Sequence, residues 1–144
     1  MAVLKTTKRL SNWRAPLAAE FAAAEKRAFA WGSFDCALFA CDCVKAQTGV
    51  DPGTAFRGRY STAEQASALI GGSLAALVAI VAAEFKLAEI GTGHARRGDL
   101  VLIDNRTALG ALAVADFTGM YAVCPGAVGL IRVRRHRWKR AWRV

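Results

Sequence analysis

The sequence predicts an α+β domain, with helices gathered in its first two thirds and a small antiparallel sheet in the last third. Three observations carry this. Apolar residues recur at helical spacing through Phe85, the period turns to extended runs from Asp99 onward, and Gly, Pro or polar breaks separate those runs as an antiparallel meander requires. At 144 residues the chain is one domain by length, with room for a single cleft. Within residues 1–144 we expect an N-terminal helix over 1–30, a helical part over 31–90 and the sheet over 97–144.

Ser11 to Phe29 reads as the first helix, with Pro16 tolerable in its opening turn and Leu17, Phe21, Ala24 and Ala28 on one stripe. A second helix starts near Asp35, buries Leu38 and Phe39, and stops at Gly49 after Thr48. Val50 to Tyr60 is too rich in Gly and Pro for regular structure and is expected to border a cleft. Ser61-Thr62-Ala63-Glu64 has capping-box spacing and opens a short helix that breaks at Gly71-Gly72. Ser73 caps the next, whose Leu74, Leu77, Val78, Val81 and Phe85 share one face. Strands are expected over Asp99 to Asp104, Ala108 to Ala115, Gly119 to Val123, Gly129 to Arg134 and His136 to Val144.

Composition narrows the function. Met1 to Leu10 lacks the apolar core of a secretory leader. The longest apolar run, Leu74 to Ala83, is about half of the roughly 20 residues needed to span a bilayer, so no transmembrane segment is expected. Of the four cysteines, Cys36 and Cys43 share a helix face while Cys41 points nearly opposite, and no Cys-x-x-Cys pair occurs. Neither a metal site, a disulfide framework nor a cofactor is therefore expected. The net charge of +9 is uneven: seven of the 20 Lys and Arg lie between Arg132 and Arg143, and no acid follows Asp116. Arg132, Arg134, Arg135, Arg137, Lys139 and Arg140 are thus the candidate partner-binding residues, facing an acidic protein surface, nucleic acid or an anionic cell-wall polymer. The plainer alternative is a solvated edge strand that resists aggregation. Trp138 and Trp142 interleave with these cations, which would suit single-stranded nucleic acid, but strict alternation puts both on one strand face and buries them in the sheet.

The candidate catalytic residue is Cys36, which ends Trp31-Gly32-Ser33-Phe34-Asp35-Cys36 at the mouth of the second helix. Unpaired N–H groups and partial positive charge there favour a thiolate and can hold an oxyanion. Asp35 reads first as the helix cap. About 60 residues later comes Arg97-Gly98-Asp99-Leu100-Val101-Leu102.

In these two motifs, their order and their separation, the chain resembles the NlpC-type branch of papain-like cysteine peptidases, cell-wall hydrolases that also occur among the tail proteins of bacteriophages. It resembles still more a set of short phage and prophage proteins that keep Trp-Gly-x-x-Asp-Cys together with Gly-Val-Asp and Arg-Gly-Arg-Tyr, here Gly49-Val50-Asp51 and Arg57-Gly58-Arg59-Tyr60. The resemblance implies a papain-like arrangement, with N-terminal helices packed on a small antiparallel C-terminal sheet and Cys36 as nucleophile. It also implies a histidine base at the start of the second strand, where this chain has Ala108, and a third polar residue near Tyr121. A nucleophile without a base loses orders of magnitude in rate. His94, on the approach Gly91-Thr92-Gly93, and His136 are the candidate replacements, each also readable as an ordinary surface histidine.

The reading these points favour is a structural or assembly protein of a phage tail, at its tip, carried in the virion after assembly in the host cytoplasm, with other tail proteins as partners. Two alternatives stand beside it. One is an active cysteine peptidoglycan hydrolase acting at infection, and the other is a nucleic-acid-contacting virion protein.

Overall fold

The computed structural model describes residues 8–107 and 109–144, so Ala108 lies outside the described residues. The fold is α+β, with four α-helices followed by a six-stranded antiparallel sheet among the described residues. Helix α1 spans Arg14–Ala24, α2 Cys36–Thr48, α3 Ala63–Leu69 and α4 Leu74–Phe85. Strands are β1 (Glu89–Ile90), β2 (Leu100–Ile103), β3 (Ala111–Ala115), β4 (Tyr121–Pro125), β5 (Leu130–Arg134) and β6 (Trp138–Trp142).

Local chemistry sets most helix ends. Asp35 caps α2 by accepting the Leu38 N–H at 2.9 Å, and Gly49 closes it in the left-handed region at φ 79°. Thr62 caps α3 through the Gln65 N–H at 3.1 Å, while Gln65 reaches back to the Ser61 N–H at 2.9 Å, so the capping box sits one residue later than the Ser61 and Glu64 spacing suggests. Ser73 caps α4 as expected, and Leu74, Leu77, Val78, Val81 and Phe85 are all buried. Helix α1 is shorter than expected, because its apparent last turn is captured by the loop between β4 and β5. Phe29 N–H donates to Ala127 O at 3.0 Å and Ala28 bridges Val128, which pulls the chain out of helical geometry after Ala24.

The strands run in the order β1-β6-β2-β3-β4-β5. Strands β2 to β5 form the expected meander, but β6 returns across the sheet to pair with β2 and with β1. The two-residue β1 has no periodicity of its own and exists through its pairing with Trp142 and Ala141. One sheet face, including Leu100, Leu102, Leu112, Val114, Val123 and Trp142, packs into the same core as α2 and α4. The opposite face, including Val101, Ile103, Ala113, Ala115 and Ala122, forms a second cluster with Ala95, Val133 and Trp138.

The two C-terminal tryptophans therefore lie on opposite faces, contrary to strict alternation. A bulge between Leu102 and Ile103 pairs Leu102 with Arg140 and Ile103 with Trp138, leaving Lys139 unmatched and turning Trp138 over. Both indoles are buried, and the Trp138 Nε1–H donates to Val133 O at 3.0 Å. His136 falls on an exposed 3-10 turn, Arg135–Arg137, ahead of β6 and not on it.

Arg97-Gly98-Asp99 opens β2, as expected, and it also ties three parts of the chain together. Gly98 has φ +83°, and a Cβ there would collide with the Gln47 side-chain oxygen. That close approach lets the buried Gln47 amide donate to Gly98 O at 2.9 Å and to Cys43 O at 3.1 Å, locking the end of α2 onto the sheet. Among the described residues no single helix is long and apolar enough to cross a membrane.

Candidate functional site

The start of α2 is built by segments far apart in sequence. Gly32 has φ +81°, and a Cβ on it would run into the backbone carbonyl of Tyr60, so the Trp31 to Asp35 turn presses directly on the Arg57 to Tyr60 segment. The Gly58 N–H donates to Gly32 O at 2.8 Å. Buried Asp35 accepts from Leu38 N–H, from Gly32 N–H at 3.0 Å and from the Tyr60 hydroxyl at 2.5 Å. Arg57 donates to Asp51 at 2.8 and 3.1 Å and pairs with Asp42 on α2 at 2.6 Å. The Asp of Gly-Val-Asp and the Arg and Tyr of Arg-Gly-Arg-Tyr are thus one brace around the helix start, and the loop expected to border a cleft instead closes over it.

Cys36 is the first residue of α2, half-buried and wedged between the two core clusters. The space beside it holds about 10 Å³, room for no more than one water, between apolar walls that include Trp31, Tyr60, Ile70, Leu74 and Leu109. Burial pushes the thiol up to about 11, the backbone N–H of Leu112 offsets part of this, and the neighbouring Asp35 charge adds to it. The helix-terminal position is therefore overridden, and at neutral pH the group is a protonated thiol and a poor nucleophile. Tyr60 is raised in the same direction, first by burial and then by its bond to Asp35, so it remains a hydrogen-bond donor.

Among the described residues no histidine lines this space, and its one carboxylate, Asp35, is engaged by the Gly32 and Leu38 N–H groups and the Tyr60 hydroxyl. His94 sits exposed on the 3-10 turn Thr92–His94, its backbone carbonyl accepting from Arg143 at 2.6 Å. Tyr121 is half-buried on β4 opposite Arg134, also away from the thiol's walls. The Ala108 position lies outside the described residues, although its neighbour Leu109 is one of the walls. All four cysteines are free thiols, and no group of three metal-ligating side chains occurs among the described residues.

The basic C-terminal residues are largely engaged within the fold. Arg132 pairs with Glu25 at 2.9 Å, Lys139 with Asp104 at 3.4 Å, and Arg140 grips Glu89 with two bonds of 2.7 and 2.8 Å. Arg137 donates to Asp104 O at 3.3 Å. Arg135 places its guanidinium against three backbone carbonyls, Gly119, Thr92 and Ala95, at 2.7 to 2.9 Å, and stacks on Trp138 at 4.5 Å. Arg134 alone of the six has no ion-pair or side-chain hydrogen-bond partner among the described residues. The acids these cations meet all precede Asp116, which is why the local run looked uncompensated in sequence. Conversely, Arg9, Arg14, Arg96 and Arg97 gather on one side of the molecule, a grouping hidden by a separation of more than 80 residues.

A helix-braced α+β domain with a half-buried, protonated thiol at the start of its central helix is the class that fold and site define. Residues 8–144 match a family described as a domain of unknown function (DUF6950), and the chain belongs to that family. No curated protein and no solved structure matches it.

Proposed function

We propose that the chain is a non-catalytic, NlpC-like assembly component of a bacteriophage tail, placed at the tail tip and acting by binding. The observation that carries the non-catalytic half is the closure of the Cys36 site: about 10 Å³ of mainly apolar space, no histidine on its walls, an Asp35 carboxylate already engaged by three donors, and a thiol held protonated. A hydrolase needs the reverse, an open cleft with a nucleophile and base in hydrogen-bond reach. The tail assignment is supported by the resemblance to phage proteins in three motifs, all of which meet in one brace around α2. In this reading the cysteine and its aspartate keep a helix start in place for packing.

The test has two arms. Quantitative mass spectrometry of purified virions should find the chain at a fixed copy number, and purified sacculi incubated with it should release no soluble muropeptides. Absence from virions and tail intermediates removes the tail reading. Muropeptide release that disappears in Cys36→Ala removes the non-catalytic one.

A further inference from the structure

The positive charge that the C-terminal strand neutralises internally is left unneutralised elsewhere. Arg9, Arg14, Arg96, Arg97 and Arg135 converge on an open hollow of about 540 Å³, lined also by Trp13. The two carboxylates nearby are both engaged. Asp99, fully buried, takes Arg9 and Arg143 at 3.3 Å each together with the N–H groups of Arg96 and Val144. Asp116 turns into its own loop, accepting from Thr118 N–H and Oγ1 and from Gly119 N–H. Among the described residues Arg135 is fixed on carbonyls and meets no counter-ion, and the exposed Arg14, Arg96 and Arg97 form no ion pair. The crowding registers on Arg9. Burial lowers its pKa first, and the cations of Arg143, Arg14 and Arg96 press it down further against the pull of Asp99.

We propose that this hollow is the docking site for an acidic segment of a partner polypeptide, whose carboxylates pair with Arg14, Arg96 and Arg97. The proposal rests on the reading of the chain as a binding component. Three features select this occupant. Guanidinium forks match carboxylates two bonds at a time, so several of them side by side suit a run of Asp and Glu. The hollow is open and polar, whereas sites for small metabolites enclose the ligand between mainly apolar walls. Single-stranded nucleic acid would stack its bases on an aromatic platform, and the Trp13 ring is already occupied by Arg9 at 4.1 Å and Arg14 at 4.7 Å and stacked against Phe117. A second basic hollow, beside Arg106, His136, Arg137 and Lys139, contains its own carboxylate, Asp104, already paired with Lys139. The first hollow therefore offers the stronger field for an acidic chain.

Fluorescence anisotropy of the full chain with fluorescein-labelled oligoglutamate tests this, with oligothymidylate and pyrophosphate as competing probes. Oligoglutamate should bind in a salt-weakened manner and resist both competitors. Arg14→Glu and Arg96→Glu should each weaken it by about tenfold, the loss expected for one charged hydrogen bond replaced by a repulsion. Arg134→Glu, an equal charge change on the C-terminal strand, should leave the affinity nearly unchanged. Each variant is exposed and without an ion pair, and unchanged thermal unfolding checks its fold. Equal weakening by Arg134→Glu, tighter binding of oligothymidylate or pyrophosphate, or no binding of oligoglutamate overturns the proposal. Such a failure leaves the chain's place in the virion standing, whereas absence from virions leaves peptide binding at the hollow standing.

Discussion

At the start of α2 the buried Asp35 carboxylate is engaged by three donors inside the fold, whereas at the arginine hollow Arg14, Arg96 and Arg97 are exposed without a counter-ion among the described residues. The first region holds the whole of a conspicuous motif, Trp31 to Cys36, and the second takes only Arg97 from one, its other arginines lying outside any motif. The difference follows from what each has to do. A buried Asp35 that must satisfy two N–H groups and a hydroxyl dictates a glycine, an aromatic wall and a tyrosine at fixed places, so it leaves a spelled-out pattern. The proposed docking hollow needs only charge in roughly the right place, here contributed by the separate segments that hold Arg9 and Arg14, Arg96 and Arg97, and Arg135.

This contrast predicts unequal sensitivity to substitution. The largest loss should come from Asp35→Ala, which strands the Leu38 and Gly32 N–H groups and the Tyr60 hydroxyl in a buried setting. We expect about 3 kcal/mol or more in urea denaturation, the sum of a lost cap and unsatisfied donors. An effect below about 0.5 kcal/mol, ordinary for an exposed site, would mean the brace contributes little. Gly32→Ala should follow at about 2 kcal/mol, since it combines a positive φ with a collision against Tyr60 O.

Next comes an alkaline transition. Cys36 is raised from 9.0 to about 11, Cys41 and Cys124 to about 12, and Cys43 and Tyr60 are also raised, all chiefly by burial. Between the unfolded and folded values the unfolded chain binds fewer protons, so stability is fully present below about pH 9 and is lost as pH rises toward 11 and 12. The urea midpoint should hold from pH 7 to about 9 and then fall. A midpoint rising through that window would reverse the sign and refute the burial of these thiols.

The smallest effect should be Arg140→Ala. Its bidentate pair with Glu89 is exposed on an edge of the sheet, and such pairs add little to stability. A melting temperature indistinguishable from the parent protein is expected, and a clear drop would show that the C-terminal strand depends on its charges.

Much of the fold was legible because its signals are local. Asp35, Gly49, Ser73 and the α4 stripe act within one or two turns of a helix, and each is found where the pattern put it. The errors arose where distant pairing decided the outcome. The end of α1 was captured by the loop at Ala127 and Val128, β6 crossed to β2, and a bulge at Lys139 turned Trp138 to the other face. The Cys36 site was legible in its residues and misread in its openness, because closure depends on Tyr60, Ile70 and Leu109 arriving from three separate segments. The charge was misplaced for the same reason. Glu25, Glu89 and Asp104 reach the basic strand only in the folded chain.

The contrast between the two regions rests above all on the state of the Cys36 thiol, and its alkylation rate against pH measures that state directly. Native protein is treated with iodoacetamide from pH 6 to 11, with Cys36 followed by peptide mapping and His94→Ala run in parallel. A half-buried, protonated thiol should alkylate slowly through pH 8, roughly a hundredfold below a free cysteine, with a rate that rises toward pH 11 and is unaffected by His94→Ala. Fast alkylation that is already level at pH 6 to 7, and lost in His94→Ala, would instead reveal an activated thiolate and return the chain to the hydrolases.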